Sequence, residues 1–424
     1  MKFLKNLSFI SFILFSQIFS SIPLFNAYPK LEKSLAHINL GEYPSPIINI
    51  RIPDNTLKEI TDPDYWKDKF TPSLNCKSLY YKDDGYKHSK NIPTGNKMRK
   101  LEFLLADAIA KGYKTVCTLG GAGSNHALET AVCAKLLGLN SILILNDQRQ
   151  TSIVIRNLSL MTKVATQILY ADRSLDTNEK LESYATDFCA KNNYYFIPVG
   201  GSNELGTIGF VNAAFELKKQ LIDLNIPEPD IIYVTLGSCG TAAGLIIGAA
   251  AAELKSKIIP VIISSTPEEK TKNLVYLINK TVNYLNSLDN SFPKNYASVI
   301  GNQIKFSEIN VEINHNFIGA GYADITRDAA NAVVFFRNLT GKIFEGTYTG
   351  KTLAALISDA ERNILKDKNV LFWNTFSHEI FAFNNAMFAE SENFVNLPKD
   401  LQHYLYDKLQ NIENNMLEEL TYDY

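Results

Sequence analysis

The first constraints come from what this 424-residue chain lacks. It carries no Walker phosphate loop, no HExxH and no CxxC pair, so neither nucleoside-triphosphate nor zinc chemistry is indicated. It has no surplus of positive charge. Its 42 Lys and Arg stand against 44 Asp and Glu, and a net charge of −2 provides no basic field to attract nucleic acid. Cysteines number only five: Cys76, Cys117, Cys133, Cys189 and Cys239. The odd count, with Cys117 in an apolar run and Cys239 in a glycine loop, argues against a disulfide framework. Internal repeats and low-complexity segments are absent as well. What remains is 46% hydrophobic and 20% charged, ample for two domains with full cores.

The amino terminus stands apart. Lys2 and Lys5 precede an uncharged Phe/Ile/Leu/Ser stretch, which reads as a signal peptide over residues 1–27 and implies a secreted or periplasmic protein. Ala27 would be its last residue, although Phe25 two places earlier is not small; Ser20 and Ser21 are alternative cleavage points. The competing reading is a membrane anchor through residues 6–29, since the apolar stretch approaches the ~20 residues a span needs. With the signal removed, no stable membrane insertion is expected.

The chain is organised around Thr94-Gly95-Asn96-Lys97-Met98-Arg99-Lys100-Leu101-Glu102. A glycine turn delivers Lys97 to the mouth of a helix whose apolar positions Met98, Leu101, Leu105 and Ala108 recur at helical spacing before Gly112. The positive end of a helix disfavours a cation, lowering a lysine's pKa and making its amine a nucleophile able to form a Schiff base. A solvated loop lysine is the plainer reading of this stretch alone. The second key stretch is Gly120-Gly121-Ala122-Gly123-Ser124-Asn125-His126. It follows the strand-like run Thr115–Leu119 and precedes an Ala/Leu-rich helix and a second run, Ser141–Leu145. This is a βαβ unit with Ser124 as helix cap and an anion-binding mouth.

Together the two stretches resemble pyridoxal-phosphate enzymes of the tryptophan-synthase-β fold type, and among them the D-cysteine desulfhydrase and 1-aminocyclopropane-1-carboxylate (ACC) deaminase family. The family's Gly-Asn-Lys-x-Arg-Lys-Leu-Glu stands as Gly95–Glu102, with Lys97 at the Schiff-base position, and its Gly-Gly-x-x-Ser-Asn-His/Gln as Gly120–His126. The resemblance extends in segments over about residues 36–384. Ile231–Leu236 feeds Gly237-Ser238-Cys239-Gly240-Thr241, which matches the family's phosphate loop. Tyr322 and Tyr348, each beside glycines, match tyrosines that face the substrate, and Thr349 and Thr375 match positions near the pyridine nitrogen.

The resemblance implies an α/β protein of two domains, each a parallel sheet flanked by helices. Residues 28–99 and 204–384 would form the large cofactor-binding domain and 100–203 the small one; the family does not account for 385–424, where apolar residues at helical spacing over Leu401–Leu420 read as an amphipathic helical extension packed on the body or a partner. It further implies a homodimer and a small amino-acid substrate, with no metal. Lys97 would serve as base, Tyr322 and Tyr348 as acids, and Asn125 would bond the cofactor ring oxygen. Ser124, Asn125 and His126 would hold the substrate. Thr349, where ACC deaminases place a glutamate, and His126, where they place glutamine, favour D-cysteine desulfhydration over ACC ring opening. Three departures bear on the pocket. Glu345-Gly346 replaces Asp-Pro, Phe376-Ser377 replaces Gly-Gly, and the usual basic residue near Leu128-Glu129 is missing. A binder that has lost catalysis is therefore a third reading.

Overall fold

A computed structural model describes residues 22–51, 72–86, 94–300 except 176, 303–377, and 397–415 except 406, 409 and 414. Residues 1–21 of the expected signal, and 378–396 and 416–424 near the carboxyl terminus, lie outside the described residues.

Two short helices come first, α1 (Pro23–Ala27) and α2 (Pro29–Ser34), each opened by a proline whose missing N–H costs nothing at that position. Strands β1 (Ile47–Ile50) and β2 (Ser78–Asp83) lead to helix α3 (Asn96–Ala110). A regular alternation follows: β3 (Thr115–Gly121), α4 (Asn125–Leu136), β4 (Asn140–Asn146), α5 (Ser152–Val164), β5 (Gln167–Tyr170), α6 (Asn178–Asn192) and β6 (Tyr195–Ile197). These four strands form one fully parallel sheet in the order β5-β4-β3-β6. Gly200 and Gly201, both at positive φ, then turn the chain into the long helix α7 (Glu204–Asp223).

The second sheet collects β7 (Ile231–Leu236), β8 (Lys257–Ile262), β9 (Ser298–Ile300), β10 (Gln303–Phe306), β11 (Ile309–Glu312) and β12 (Asn369–Asn374) around β2. Its order is β1-β2-β12-β7-β8-β11-β10-β9. Between these strands run α8 (Gly240–Ala251), α9 (Pro267–Leu288), α10 (Arg327–Thr340) and α11 (Thr349–Glu361). The centre of this sheet, β2 to β11, is parallel, as expected, but its margins are not. β1 pairs antiparallel with β2, and β9, β10 and β11 pair antiparallel in turn. For β10 and β11 the reason is connection length. Only two residues separate β10 from β11, with Ser307 at φ +51°, and so short a link can join only antiparallel neighbours. β7 is buried at all six positions, as a strand covered by helices on both faces must be.

The boundary read between residues 99 and 100 falls inside α3. Met98, Leu101, Leu104 and Leu105 of that helix join one apolar cluster with Ile208, Phe210 and Val211 of α7 and Ile246 of α8. A Cβ at Gly209 would lie 2.0 Å from the carbonyl oxygen of Arg99, so only glycine allows α3 and α7 this close. The carboxyl-terminal extension packs on the body. Among its described residues, the helix α12 (Lys399–Gln402) and a following turn of 3-10 helix carry Leu397, Leu401 and Tyr404 into the core of the small sheet's helices.

The amino end bears on where a signal could be cleaved. Leu24 and Phe25 are buried in the main core, the Leu24 amide donates to Asn212 Oδ1 at 3.0 Å, and Phe25 meets Phe103 edge-on. Cleavage after Ala27 would strip out α1 and open the core, whereas cleavage at Ser20 or Ser21 would preserve it. The expected outcome for any processed protein is a chain beginning at Ser21 or Ile22, read by amino-terminal sequencing. A folded, stable protein beginning at Tyr28 would contradict the role of α1.

Candidate active site

The carboxyl ends of β2, β3, β7 and β12 converge on one cavity of about 400 Å³, where ligands of open α/β sheets ordinarily sit. Its wall contains Lys97, Ser124, Asn125, His126, Gly237, Ser238, Cys239, Thr241, Tyr322, Tyr348 and Thr375. These residues are spread over nearly 280 positions of sequence, and the fold brings them together. Two of the expected residues do not line it. Gly240 turns its amide to Ser202 Oγ and the Ser238 carbonyl, as the first residue of α8. Thr349 is fully buried, and its hydroxyl lies 3.0 Å from both the carbonyl oxygen and Oε1 of Glu345.

Lys97 enters the cavity from the first turn of α3. Gly95, at φ +105°, precedes that turn, and no side chain caps it. Three bonds fix it: the Gly95 amide to the Asp84 carbonyl, the Asn96 amide to the Thr375 carbonyl, and Asn96 Nδ2 to Thr241 Oγ1 at 3.0 Å. Lys97 Nζ itself donates to Asn96 Oδ1 at 3.1 Å. Burial lowers the Lys97 pKa, and Glu129 and Glu345 oppose the shift without cancelling it.

The phosphate-loop region meets the physical test of an anion cradle. Lys100, fully buried behind Lys97, donates to the Gly200 carbonyl and Ser202 Oγ at 3.0 Å each. No carboxylate pairs with it among the described residues. Burial drives its pKa well down, and Lys97 adds to the effect. A Cβ at Gly240 would stand 2.8 Å from Lys100 Nζ and 2.6 Å from Ser202 Oγ, so the loop backbone and the ammonium press on the same space. The N-terminus of α8, the hydroxyls of Ser238 and Thr241 and this buried lysine, which an anion beside it would hold protonated, suit a phosphate. Lys100 was not singled out as a cradle residue in the sequence, although it stands inside the lysine motif.

Across the cavity, Ser124 caps α4 by accepting the Ala127 amide, which leaves its hydroxyl proton to give. Asn125 Oδ1 accepts from Asn157 at 2.9 Å and Arg156 at 3.2 Å, so its NH2 remains as the donor toward the cavity. Thr118 gives its hydroxyl proton to the Ile197 carbonyl. His126 Nε2 lies 3.0 Å from Thr118 Oγ1, and the ring also faces the Pro198 carbonyl. Burial and the two lysines hold His126 neutral.

Three groups in or against this wall were not anticipated. Glu129, one turn after Asn125, is buried with Oε2 unpartnered among the described residues. Burial pushes its carboxyl up to about 8 against the pull of Lys97, Arg156 and Lys100. Glu345 accepts the amides of Thr347, Tyr348 and Thr349, fixing the start of α11 and hence Tyr348. Arg156, from α5, lies 5.8 Å from the Phe376 ring and brings a basic group that Leu128 does not supply. Tyr322 and Tyr348 complete the site with hydroxyls 2.6 Å apart and rings edge-on. Lys351, on α11, ties the Tyr322 loop down by donating to the carbonyls of Ile318 and Gly321.

Comparison with known proteins agrees with this geometry. A family model described as "Pyridoxal-phosphate dependent enzyme" matches residues 65–375. A curated relative from Pyrococcus abyssi, described as "Putative 1-aminocyclopropane-1-carboxylate deaminase", is 30% identical over 285 residues, covering 66% of this chain and 79% of its own. The crystal structure of an ACC deaminase homologue superposes with a TM-score of 0.62 at 24% identity, covering 84% of this chain and 98% of its own. A hydrogen sulfide-producing enzyme from Fusobacterium nucleatum shares the fold with a TM-score of 0.52 at 15% identity, covering 81% and 97%.

Two outcomes are expected. Replacing Lys100→Met removes a charge-assisted bond worth about 1.5–3 kcal/mol, so the Kd for pyridoxal phosphate in equilibrium dialysis should rise tenfold or more. For Glu129, the folded-state pKa lies above the unfolded one. Its contribution is therefore full below about pH 4.5 and is lost as pH rises through about 8. Glu129→Gln has no proton to lose, so the Tm of its cofactor-free form should fall less than wild type between those limits in calorimetry.

Proposed function

The chain belongs to the pyridoxal-phosphate dependent enzymes, and within that family we propose that it is a deaminating lyase for a small amino acid with a leaving group on its β-carbon, D-cysteine foremost. The observation that carries this reading is the tyrosine pair. Two half-buried phenols share a 2.6 Å hydrogen bond in the same cavity as a lysine whose pKa burial has lowered. A base and an acid are thus available in one enclosed space.

Pyridoxal phosphate, when bound, supplies the electron sink for charge released at the substrate α-carbon. Gly237, Ser238, Thr241 and Lys100 would hold its phosphate, and the Asn125 amide its ring oxygen. The chain's own residues do the rest. Ser124 and the N-terminus of α4 bind the substrate carboxylate. Lys97, as the free amine that burial favours, takes the α-proton. Burial raises the pKa of both tyrosines and so keeps their protons on at neutral pH; one phenol hands its proton to the departing sulfur while the other supports it. The balanced reaction consumes D-cysteine and one water and yields pyruvate, ammonia and hydrogen sulfide.

A second reading, ACC deamination to 2-oxobutyrate and ammonia, is favoured by Glu345. The glutamate missing at position 349 weighed toward desulfhydration, yet a buried carboxylate bonded to Thr349 stands in the wall from position 345. His126 remains the residue that favours the thiol. We further propose that the protein acts outside the cytoplasm and as a homodimer, on the strength of the Lys2/Lys5 start with its apolar run and of the family's habit.

Parallel assays on one preparation decide the reading, measuring pyruvate and sulfide from D-cysteine and 2-oxobutyrate from ACC. D-cysteine should turn over faster, and Tyr322→Phe should lower that kcat by roughly 100-fold, the lower range for a lost general acid. Faster ACC turnover would reverse the assignment. Activity on neither would identify a binder that has lost catalysis.

A further inference from the structure

Beyond residue 375, where the family match ends, the carboxyl-terminal segment returns to the active site. Tyr404 accepts the Gln148 amide at 2.8 Å and donates to the Gln148 carbonyl at 2.7 Å. The Gln148 side chain in turn accepts the Gly123 amide, directly before Ser124. Glu413 accepts both the amide and the hydroxyl of Ser152, at the positive end of α5. Between these anchors, Gln410 Nε2 donates to the Gln150 carbonyl at 2.9 Å and to the Ala323 carbonyl at 3.0 Å, and its Oε1 accepts the Ile325 amide.

The two sides that Gln410 joins are different. Gln150 follows β4 of the small sheet. Ala323 and Ile325 belong to the loop that carries Tyr322. Ala323 holds a left-handed backbone at φ +59°, a conformation an L side chain keeps only when its surroundings enforce it. Enforcement comes from three directions: Lys351 from α11, Arg149 through its ion pair with Asp324, and Gln410 on the residue next to Tyr322.

We propose that Gln410 is a positioning residue for Tyr322, holding its loop against the small domain so that the Tyr322 hydroxyl stays on Tyr348. The carboxyl-terminal segment is then a working part of the active site. The effect on turnover rests on the lyase reading above; the mechanical link does not. The hydrogen bonds of Gln410 among the described residues all go to backbone groups, so its influence on Tyr322 passes through the backbone of the loop.

The test uses the full chain with bound pyridoxal phosphate and four variants: Gln410→Ala, Tyr322→Phe, the double variant, and Gln402→Ala as control. Among the described residues, Gln402 Nε2 donates to the Leu397 carbonyl within its own segment. Loss of the Gln410 bonds, each worth about 0.5–1.5 kcal/mol, should speed hydrogen exchange in the peptide covering 318–326 roughly tenfold and lower kcat roughly tenfold with little change in KM. The visible absorbance of the bound cofactor should persist. The double variant should be no slower than Tyr322→Phe alone, because the loop then positions nothing, and Gln402→Ala should match wild type. Unchanged exchange in 318–326, or a full additional loss in the double variant, would overturn the proposal. If wild type turns over no amino acid, the lyase reading fails by itself, and the exchange comparison alone decides the link.

Discussion

The site depends on a buried set of charges beneath it. The Arg99 guanidinium, two residues after Lys97, donates to Asp84 Oδ1 through Nε and Nη2 and to both oxygens of Glu216. Lys82 Nζ reaches Glu216 Oε1, Gln220 Oε1 and the Ser45 carbonyl, and Trp373 Nε1 donates to Asp84 Oδ2 at 2.8 Å. Burial alone would raise the Glu216 carboxyl, but Arg99 and Lys82 outweigh it and hold it at about 2. This cluster bolts α3 to β2, β12 and α7 at once. Its net contribution to stability is small, since desolvation offsets most of the attraction, but loss of one member strands the others at a cost of about 3–5 kcal/mol. What it secures is geometry, a fixed first turn of α3 from which Lys97 projects.

Above that cluster the cavity carries an unusual balance. Lys97, Lys100 and Arg156 face Glu129 and Glu345, with Lys100 and both carboxylates buried and the other two partly so. In a low dielectric charged forms are disfavoured, so Lys97 and, more strongly, Lys100 are pulled toward the free amine and Glu129 toward the neutral acid. A phosphate beside Lys100 completes the balance with the anion that the chain itself does not provide.

Local signals in the sequence identified much of this. The glycine turn before Lys97, the Ser124 cap after an apolar run and the Gly237–Thr241 loop are each contiguous, and each sits where a strand gives way to a helix. The remainder depends on contacts between distant segments. Glu129 reads as a surface helix residue until α3 is packed over it, and Lys100 reads as a solvated neighbour of Lys97 until Gly200 and Ser202 enclose it. Thr349 was misplaced because sequence adjacency to Tyr348 does not survive helix geometry, where the next residue points elsewhere. The antiparallel pairing of β10 with β11 follows from a two-residue link that carries no strong turn signature. Ala27 looked like a cleavage point because no sequence rule shows Leu24 against Asn212.

The central claim is that Lys97, held by the Arg99 cluster at the mouth of α3, is the residue that bonds pyridoxal phosphate. Borohydride reduction of the cofactor-loaded protein, followed by digestion and mass mapping, tests it directly. The account predicts one modified peptide, with the added pyridoxyl mass on Lys97 and none on Lys100, Lys270 or Lys351. Label fixed to any of those other lysines, or no label on a protein that retains visible absorbance, would contradict it.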